Sequence, residues 1–260
     1  DRLKGMLAQE GTLLQQVSHP HIVKCYGVAQ RASRLSYLLE YADCGDLSQF
    51  LTEPPTEAWV FRFLAQVASA LDYLHLRSIL HRDLKPGNIM VFQSGEVVKL
   101  ADFGNSRVLL NSQQADTVTG TLHYMAPELL SREKYCTASD LWSLGCVLYE
   151  VLSQRRPFEA RNHLALTILI CEGKYAPLDA SWCSPLRSVV DGLLRRKPGD
   201  RKMLADILRM DAVAPHAPAI PDPTPPAPAT ACELPTLTSF SDSWVATRVR
   251  PRSLAPGWET

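Results

Sequence analysis

Three short motifs in a fixed order constrain this chain more than any other feature of its sequence. The first is HRDLKPGN at residues 81–88, the second is DFG at 102–104, and the third is APE at 126–128. Two short apolar stretches, 89–92 and 97–101, lie between the first two motifs. They flank the sequence QSGE, which is typical of a hairpin turn. The motifs therefore fall on loops between predicted strands and helices.

The polar residues of these motifs have the chemistry of phosphoryl transfer, which depends on charge neutralisation and alignment. Asp83 can accept the proton of an acceptor hydroxyl, and Lys85 can hold an ammonium beside the transferred phosphate. Asn88 and Asp102 offer oxygen ligands of the type that Mg²⁺ takes together with nucleotide phosphates and water. Each residue alone is typical of a surface or a turn. The interpretation depends on the complete set, its order and its spacing.

With these motifs the chain resembles the eukaryotic protein kinases over residues 1–210, from the αC helix of that family to its last helix. The resemblance implies an α+β, two-lobe kinase fold, with part of the small-lobe sheet over a mainly helical large lobe. It also implies ATP and Mg²⁺ as cofactors and protein hydroxyls as acceptors. Lys85 and the pair Gly120-Thr121 are similar to the serine/threonine branch. The segments 107–121 and 158–160 are most similar to the NIMA-related kinases.

The resemblance assigns the nucleotide and regulatory sites residue by residue. Adenine and ribose are implied to bind at the gatekeeper Leu39, the hinge residues Glu40 and Ala42, the acidic Asp46 and the apolar Met90. The implied regulatory residues are Glu10 of the αC helix, Arg82, Arg107 and the activation-loop residue Thr117. A phosphate on Thr117 would pair with both guanidinium groups. Thr121, in the substrate loop, is implied to brace Asp83 and Lys85.

Structural roles follow from the same resemblance. Leu14, Phe103 and His81 are implied to stack as a regulatory spine that Asp140 anchors. Glu128 of the third motif is implied to form a buried ion pair with Arg201.

Two motifs of the kinase family are missing from these 260 residues: the Gly-rich phosphate loop and the strand lysine that pairs with the αC glutamate. We therefore expect the fragment, which we interpret as truncated at its N-terminus, to be inactive as given. The alternative is a pseudokinase-like protein-binding module, although the presence of Asp83, Lys85, Asn88 and Asp102 argues against it. A small-molecule kinase of related fold is a third hypothesis, but such enzymes usually lack the Gly-Thr and Ala-Pro-Glu segments.

Composition narrows the range of partners and the cellular compartment. The 27 basic and 27 acidic side chains give a formal net charge of zero, so we expect neither nucleic acid nor an anionic membrane as a main partner. The basic run at 195–197 is interpreted as a solvated helix end. The seven cysteines form no C-x-x-C pair and favour reduced thiols in a cytoplasmic protein. No apolar run approaches the roughly 20 residues of a membrane span. The oligomeric state stays open.

Apolar periodicity predicts the remaining elements. A helix is expected over 1–18, and strands are expected over 22–29 and 35–41. A long helix is predicted to begin after an N-cap at Thr56, and its apolar stripe runs from Val60 to Leu74. Further helices are predicted over 139–152, 164–172, 185–194 and 203–210. Ten of the last 49 residues are proline, so residues 211–260 are predicted to be a disordered tail.

Overall fold

The computed structural model describes residues 17–31, 34–102, 107–108 and 121–218, and it gives only the backbone for 28–31, 34–35 and 107–108. Most of the predicted N-terminal helix lies outside the described residues. The two predicted strands are confirmed as the antiparallel pair β1 (Cys25–Arg31) and β2 (Arg34–Leu39), with a register shift between Cys25 and Gly27. The predicted hairpin is confirmed as β4 (Ile89–Phe92) and β5 (Val97–Leu100).

The rest of the described chain is mainly helical, as the fold prediction requires. A two-stranded pair joins β3 (Ile79–Leu80) to β6 (Arg107–Val108). The α-helices in chain order are α1 (Leu47–Phe50), α2 (Glu57–Leu76), α3 (Pro127–Leu130), α4 (Thr137–Ser153), α5 (His163–Glu172), α6 (Ser184–Leu193) and α7 (Leu204–Leu208). None of the described helices is long and apolar enough to cross a membrane.

Helix α2 begins where the sequence predicts. The Thr56 side chain accepts a hydrogen bond from the Trp59 N–H at 3.3 Å, which satisfies one of the unpaired donors of the first turn. The predicted apolar stripe faces the core, and its members are at most 1 % exposed. The stripe consists of Val60, Phe63, Leu64, Val67, Leu71 and Leu74. Burial of this face holds the helix beside the segment that follows it, the HRDLKPGN loop.

Helix α4 forms the centre of the helical part and is buried along most of its length. The Trp142 ring stacks on Phe158 with a centroid separation of 5.5 Å. At Gly145 an added Cβ would lie 2.8 Å from Leu194 Cδ2. Helix α6 and the residue after it therefore approach α4 more closely than a side chain would allow.

The packed chain continues beyond the predicted start of the tail. Val213 is completely buried, and its N–H donates to the Met210 carbonyl at 2.8 Å. A short 3-10 turn follows at Ala214–His216. The packed chain therefore extends past residue 211 at least to Val213, which the proline-rich composition of this region did not indicate. The predicted disorder of residues 219–260 lies outside the described residues.

A buried ion pair ties the third motif to the loop before α7. Arg201 donates to both Glu128 carboxylate oxygens, at 2.8 and 2.7 Å, and Ser139 donates to Oε1 of Glu128 at 2.8 Å. Burial alone would raise the pKa of Glu128, but the hydrogen bonds and charge of Arg201 outweigh it, so the pKa is lowered. The ion pair implied by the resemblance is thus present in the structure.

Removing the carboxylate by Glu128→Ala would leave a buried, uncompensated guanidinium. We expect the free energy of unfolding, measured by urea denaturation, to fall by about 3–5 kcal/mol. The control is Arg209→Ala, which removes an exposed ion pair with Asp206 at 3.6 Å and should cost less than about 1 kcal/mol. Similar losses in the two variants would contradict a stabilising role for the buried pair.

Two buried histidines join the segment before β1 to α2 and β5. His19 Nε2 lies 3.1 Å from Ser69 Oγ, and His19 Nδ1 accepts from the His21 N–H at 3.1 Å. His21 Nδ1 lies 2.9 Å from the Val98 carbonyl. Burial, followed by the charges of His21 and Arg77, lowers the pKa of His19 to about 4 from 6.5. Burial also lowers the pKa of His21.

Because the pKa of His19 is lower in the folded chain than in the unfolded chain, folding favours the neutral ring. Its contribution to stability is complete above pH 6.5 and is lost as the pH falls toward 4. We expect the free energy of unfolding to drop by roughly 2 kcal/mol between pH 7 and pH 5 through this residue. Urea denaturation at both pH values should show a smaller drop for His19→Gln. The exposed His163→Gln serves as the control, and an unchanged drop in His19→Gln would refute the assignment.

Candidate active site

The first motif folds into a loop that gathers its polar residues around one carboxylate. Asp83 is buried, and its Oδ2 accepts from Lys85 Nζ at 2.6 Å and from Asn88 Nδ2 at 3.1 Å. Asn88 Nδ2 also donates to the Asp83 carbonyl at 2.8 Å. Both side-chain donors bind Oδ2. The loop therefore fixes the Asp83 carboxylate through one of its two oxygens.

A second, fully buried carboxylate holds the backbone of this loop. Asp140, in the first turn of α4, accepts from the His81 N–H at 3.0 Å and from the Arg82 N–H at 3.0 Å. Arg82 has a φ of 69°, a left-handed conformation that costs free energy in a residue with a side chain. The two hydrogen bonds from successive N–H groups offset that cost.

Two further donors complete the environment of Asp140. The His75 Nε2 donates at 2.8 Å and the Tyr135 hydroxyl donates at 2.6 Å. Burial alone would raise the pKa of Asp140, but the hydrogen bond and charge of His75 lead the effects that lower it. The carboxylate is consequently ionised with four donors around it, which is the condition for a stable buried charge.

Asp102 is brought to Asn88 by the β4–β5 hairpin. The Ala101 N–H donates to the Asn88 carbonyl at 2.9 Å. Asp102, the next residue, therefore lies at the edge of the catalytic loop. Asp102 has a φ of 62° and its side chain is exposed. Among the described residues no cluster of three or more His, Cys, Asp and Glu side chains could hold a metal. An Asn and an Asp oxygen at one edge instead fit Mg²⁺, which takes most of its ligands from phosphate and water.

The predicted adenine and ribose residues lie on strands and turns that meet above the hairpin. Ala42 and Met90 pack on a small apolar cluster formed by Val23, Phe92 and Ala101. The structure therefore brings these two predicted residues onto one small apolar cluster. Leu39, at the end of β2, is 40 % exposed.

The hinge side chains have structural roles of their own. Glu40 Oε1 accepts from Lys99 Nζ at 2.5 Å, and the Glu40 N–H donates to the Lys24 carbonyl at 2.9 Å. Asp46 is the N-cap of α1, and its Oδ1 accepts from the Gln49 N–H at 3.1 Å.

The predicted regulatory residues are only partly described. Glu10 and Thr117 lie outside the described residues, as do Leu14 and Phe103 of the implied spine. The backbone register of β3 and β6 places Arg107 opposite Leu80, two residues before Arg82. Thr121 and Asp83 line one small cavity, but no hydrogen bond joins Thr121 to Asp83 or Lys85 among the described residues. The roles of Thr117 and Thr121 therefore stay predictions.

The sequence is similar to those of known protein kinases. A sequence model described as the protein kinase domain matches residues 2–212. This chain belongs to the protein kinase family. It is 37 % identical over 205 residues to the serine/threonine-protein kinase Nek5 of Mus musculus, covering 77 % of this chain and 33 % of that protein. It is 35 % identical over 219 residues to a probable serine/threonine-protein kinase nek2 of Dictyostelium discoideum, covering 80 % of this chain and 52 % of that protein.

These relatives agree with the predicted likeness to the NIMA-related serine/threonine kinases. Human Nek5 is also 37 % identical, over 206 residues that cover 77 % of this chain and 29 % of that protein. The chain thus spans about a third to a half of the length of these curated relatives. Their names assign serine/threonine kinase activity to them.

The sequence did not indicate two residues that position the catalytic loop of this kinase domain, His75 and Tyr135. His75 lies 65 residues and Tyr135 lies five residues from Asp140 in the chain. In the sequence, His75 is the last-turn residue of a helix and Tyr135 precedes a helix. Nothing in one sequence indicates that both side chains meet the same carboxylate.

Replacing Asp140 by Asn in this kinase domain would keep the size of the side chain but place an amide NH₂ against N–H donors. We expect the free energy of unfolding to fall by at least about 2 kcal/mol, since buried donors lose a charged acceptor. We also expect the His81 and Arg82 amides to exchange hydrogen faster in the variant than in the parent, with a smaller change at the Leu71 amide in α2. Asp211→Asn, at an exposed position, is the control. Unchanged protection at residues 81 and 82 would show that Asp140 does not hold the loop.

Proposed function

We propose that this kinase domain transfers the γ-phosphate of ATP to serine or threonine hydroxyls of proteins. The observation that carries the proposal is the arrangement around Asp83, whose carboxylate is held through Oδ2 by Lys85 and Asn88. A general base needs a fixed carboxylate with an available oxygen. Asp140 supplies the fixed position by binding the two preceding backbone N–H groups.

In the proposed reaction Asp83 Oδ1 accepts the hydrogen bond of the acceptor hydroxyl and aims its oxygen at the phosphate. Lys85 stays within hydrogen-bond distance of Asp83 and stabilises negative charge as it builds up on the transferred group. Asn88 and Asp102 would hold Mg²⁺ through their side-chain oxygens. The bound metal supplies neutralisation of the phosphate charge. Ala42 and Met90 would contact adenine, and Leu39, Glu40 and Asp46 complete the proposed nucleotide site.

The regulatory assignments are part of the same proposal. A phosphate on Thr117 would pair with Arg82 and Arg107, whose backbones lie on neighbouring segments. Such a phosphate adds close to two negative charges and three acceptor oxygens. Glu10 would pair with the strand lysine of the small lobe. That lysine and the Gly-rich loop are absent from these 260 residues.

The test separates the base from the metal ligand. It uses the chain joined to a segment that carries a Gly-rich loop and a strand lysine, because both are needed for positioning the nucleotide. Asp83→Asn should lower the rate of phosphate transfer by about 100-fold or more while keeping Mg²⁺–ATP affinity. Asp102→Ala should weaken Mg²⁺–ATP binding, measured by calorimetry, by about tenfold or more, since it removes a metal ligand.

Two outcomes would contradict these roles. A near-wild-type turnover in Asp83→Asn would exclude it as the base. Unchanged Mg²⁺–ATP affinity in Asp102→Ala would exclude it as a metal ligand. ATP binding with no transfer in any variant or in the parent would favour the alternative of a protein-binding module.

A further inference from the structure

A cationic loop joins α6 to α7. Arg195, Arg196 and Lys197 are exposed, as expected for a solvated helix end, and Lys202 lies two residues before α7. None of these four cations forms an ion pair with a described residue. The neighbouring Arg201 differs, because it is buried and bound to Glu128.

Two open cavities lie along this loop. A cavity of about 630 Å³ is lined by Arg195, Arg196 and Lys197, and a cavity of about 480 Å³ is lined by Arg187, Arg195 and Lys202. Arg195 lines both, so the two cavities adjoin. We call them together the basic groove.

The backbone under these cations is fixed. Arg201 Nε donates to the Arg195 carbonyl at 2.9 Å, and its Nη2 donates to the Arg196 carbonyl at 3.2 Å. The same guanidinium is held by Glu128, so the buried ion pair sets the course of the loop. Cations on a fixed backbone lose less entropy on binding than cations on a mobile chain.

Two glycines allow the side-chain stems to pack closely on the neighbouring helices. An added Cβ at Gly173 would lie 2.6 Å from Arg196 Cγ. An added Cβ at Gly192 would lie 3.0 Å from Lys202 Cβ. The Arg196 stem thus crosses the end of α5, and the Lys202 stem lies on α6. Both charges are directed by packing rather than by an ion pair.

The acidic residues of the groove do not cancel its charge. Glu128 is neutralised by Arg201, whereas Asp191 keeps its charge although it accepts a hydrogen bond from the Tyr175 hydroxyl at 2.7 Å. Three carboxylates, Asp191, Asp200 and Glu133, therefore stand against Arg187 and the four cations without an ion pair. The groove therefore carries a local positive charge in a chain whose formal net charge is zero.

The number and spread of the cations decide which anion fits. Both cavities are open to solvent and lined by several cations, so a single phosphate or carboxylate would engage only some of them. The formal net charge of zero gives the chain no broad positive field of the kind that attracts nucleic acid or an anionic membrane. An extended acidic peptide can place several carboxylates against several of these cations at once.

The groove also lies next to the candidate active site. Leu129 of α3 lines the small cavity that contains Asp83 and Thr121, while Pro127 and Ser131 at the ends of α3 line the basic groove. One turn of helix is the wall between them. We propose that the basic groove binds an acidic segment of the protein substrate. That this partner is a substrate rests on the proposed function.

The experiment measures binding, so its result does not depend on phosphate transfer. A fluorescein-labelled Glu-rich peptide of about a dozen residues is titrated with the 260-residue chain and followed by anisotropy. We expect the double variant Arg196→Glu/Lys197→Glu to weaken binding by about tenfold or more, because opposed like charges replace favourable ones. The control is Arg161→Glu/Arg209→Glu, which makes the same change in net charge outside the groove and should keep the wild-type affinity.

Further variants guard against misfolding and against simple attraction to charge. Lys197→Glu, whose stem packs on no glycine, should weaken binding while leaving the circular dichroism spectrum unchanged. Arg196→Lys/Lys197→Arg should retain binding. The proposal is overturned if the two double variants bind equally or if a Gln-rich peptide binds as tightly as the Glu-rich one. Tighter binding of phosphatidylserine vesicles or of a single-stranded oligonucleotide through the same residues would also overturn it.

Discussion

The buried carboxylate of Asp140 is the interaction on which the candidate active site depends. A charge removed from water is costly unless donors surround it, and here four donors from three segments of the chain do so. Two of them are the backbone N–H groups of His81 and Arg82, so satisfying the charge fixes the course of the catalytic loop. The left-handed Arg82 persists because the alternative would leave Asp140 short of donors.

The neighbouring residue on α4 makes a second connection of the same kind. Ser139 donates to Glu128, Glu128 binds Arg201, and Arg201 holds the carbonyls of the basic loop. Two successive residues in the first turn of one helix therefore hold the catalytic loop and the basic groove. Both are thus attached to a helix that is buried along most of its length.

The sequence predicted local features well because each depends on nearby residues. The Thr56 cap, the apolar stripe of α2 and the turn at 93–96 require only short-range spacing and are all present. The ion pair of Glu128 with Arg201, 73 residues away, became predictable only through the family resemblance. The roles of His75 and Tyr135 were not predicted, since each is set by a contact that only the folded chain brings together. The buried Val213 was missed for the opposite reason, because the composition around it is that of a linker.

The interpretation of the basic run at 195–197 as a solvated helix end was correct, but it did not indicate the proposed docking surface. Its side chains are exposed to solvent, as predicted, but exposure alone does not show how the charged groups are oriented or how the loop backbone is held. Those depend on Arg201 below the loop and on the missing side chains of Gly173 and Gly192. In an unfolded or flexible segment the same cations would lose more conformational entropy when they bind a partner. Held by a buried ion pair, they form a surface whose charge is arranged before any partner arrives, and the helix that separates it from Asp83 is only one turn long.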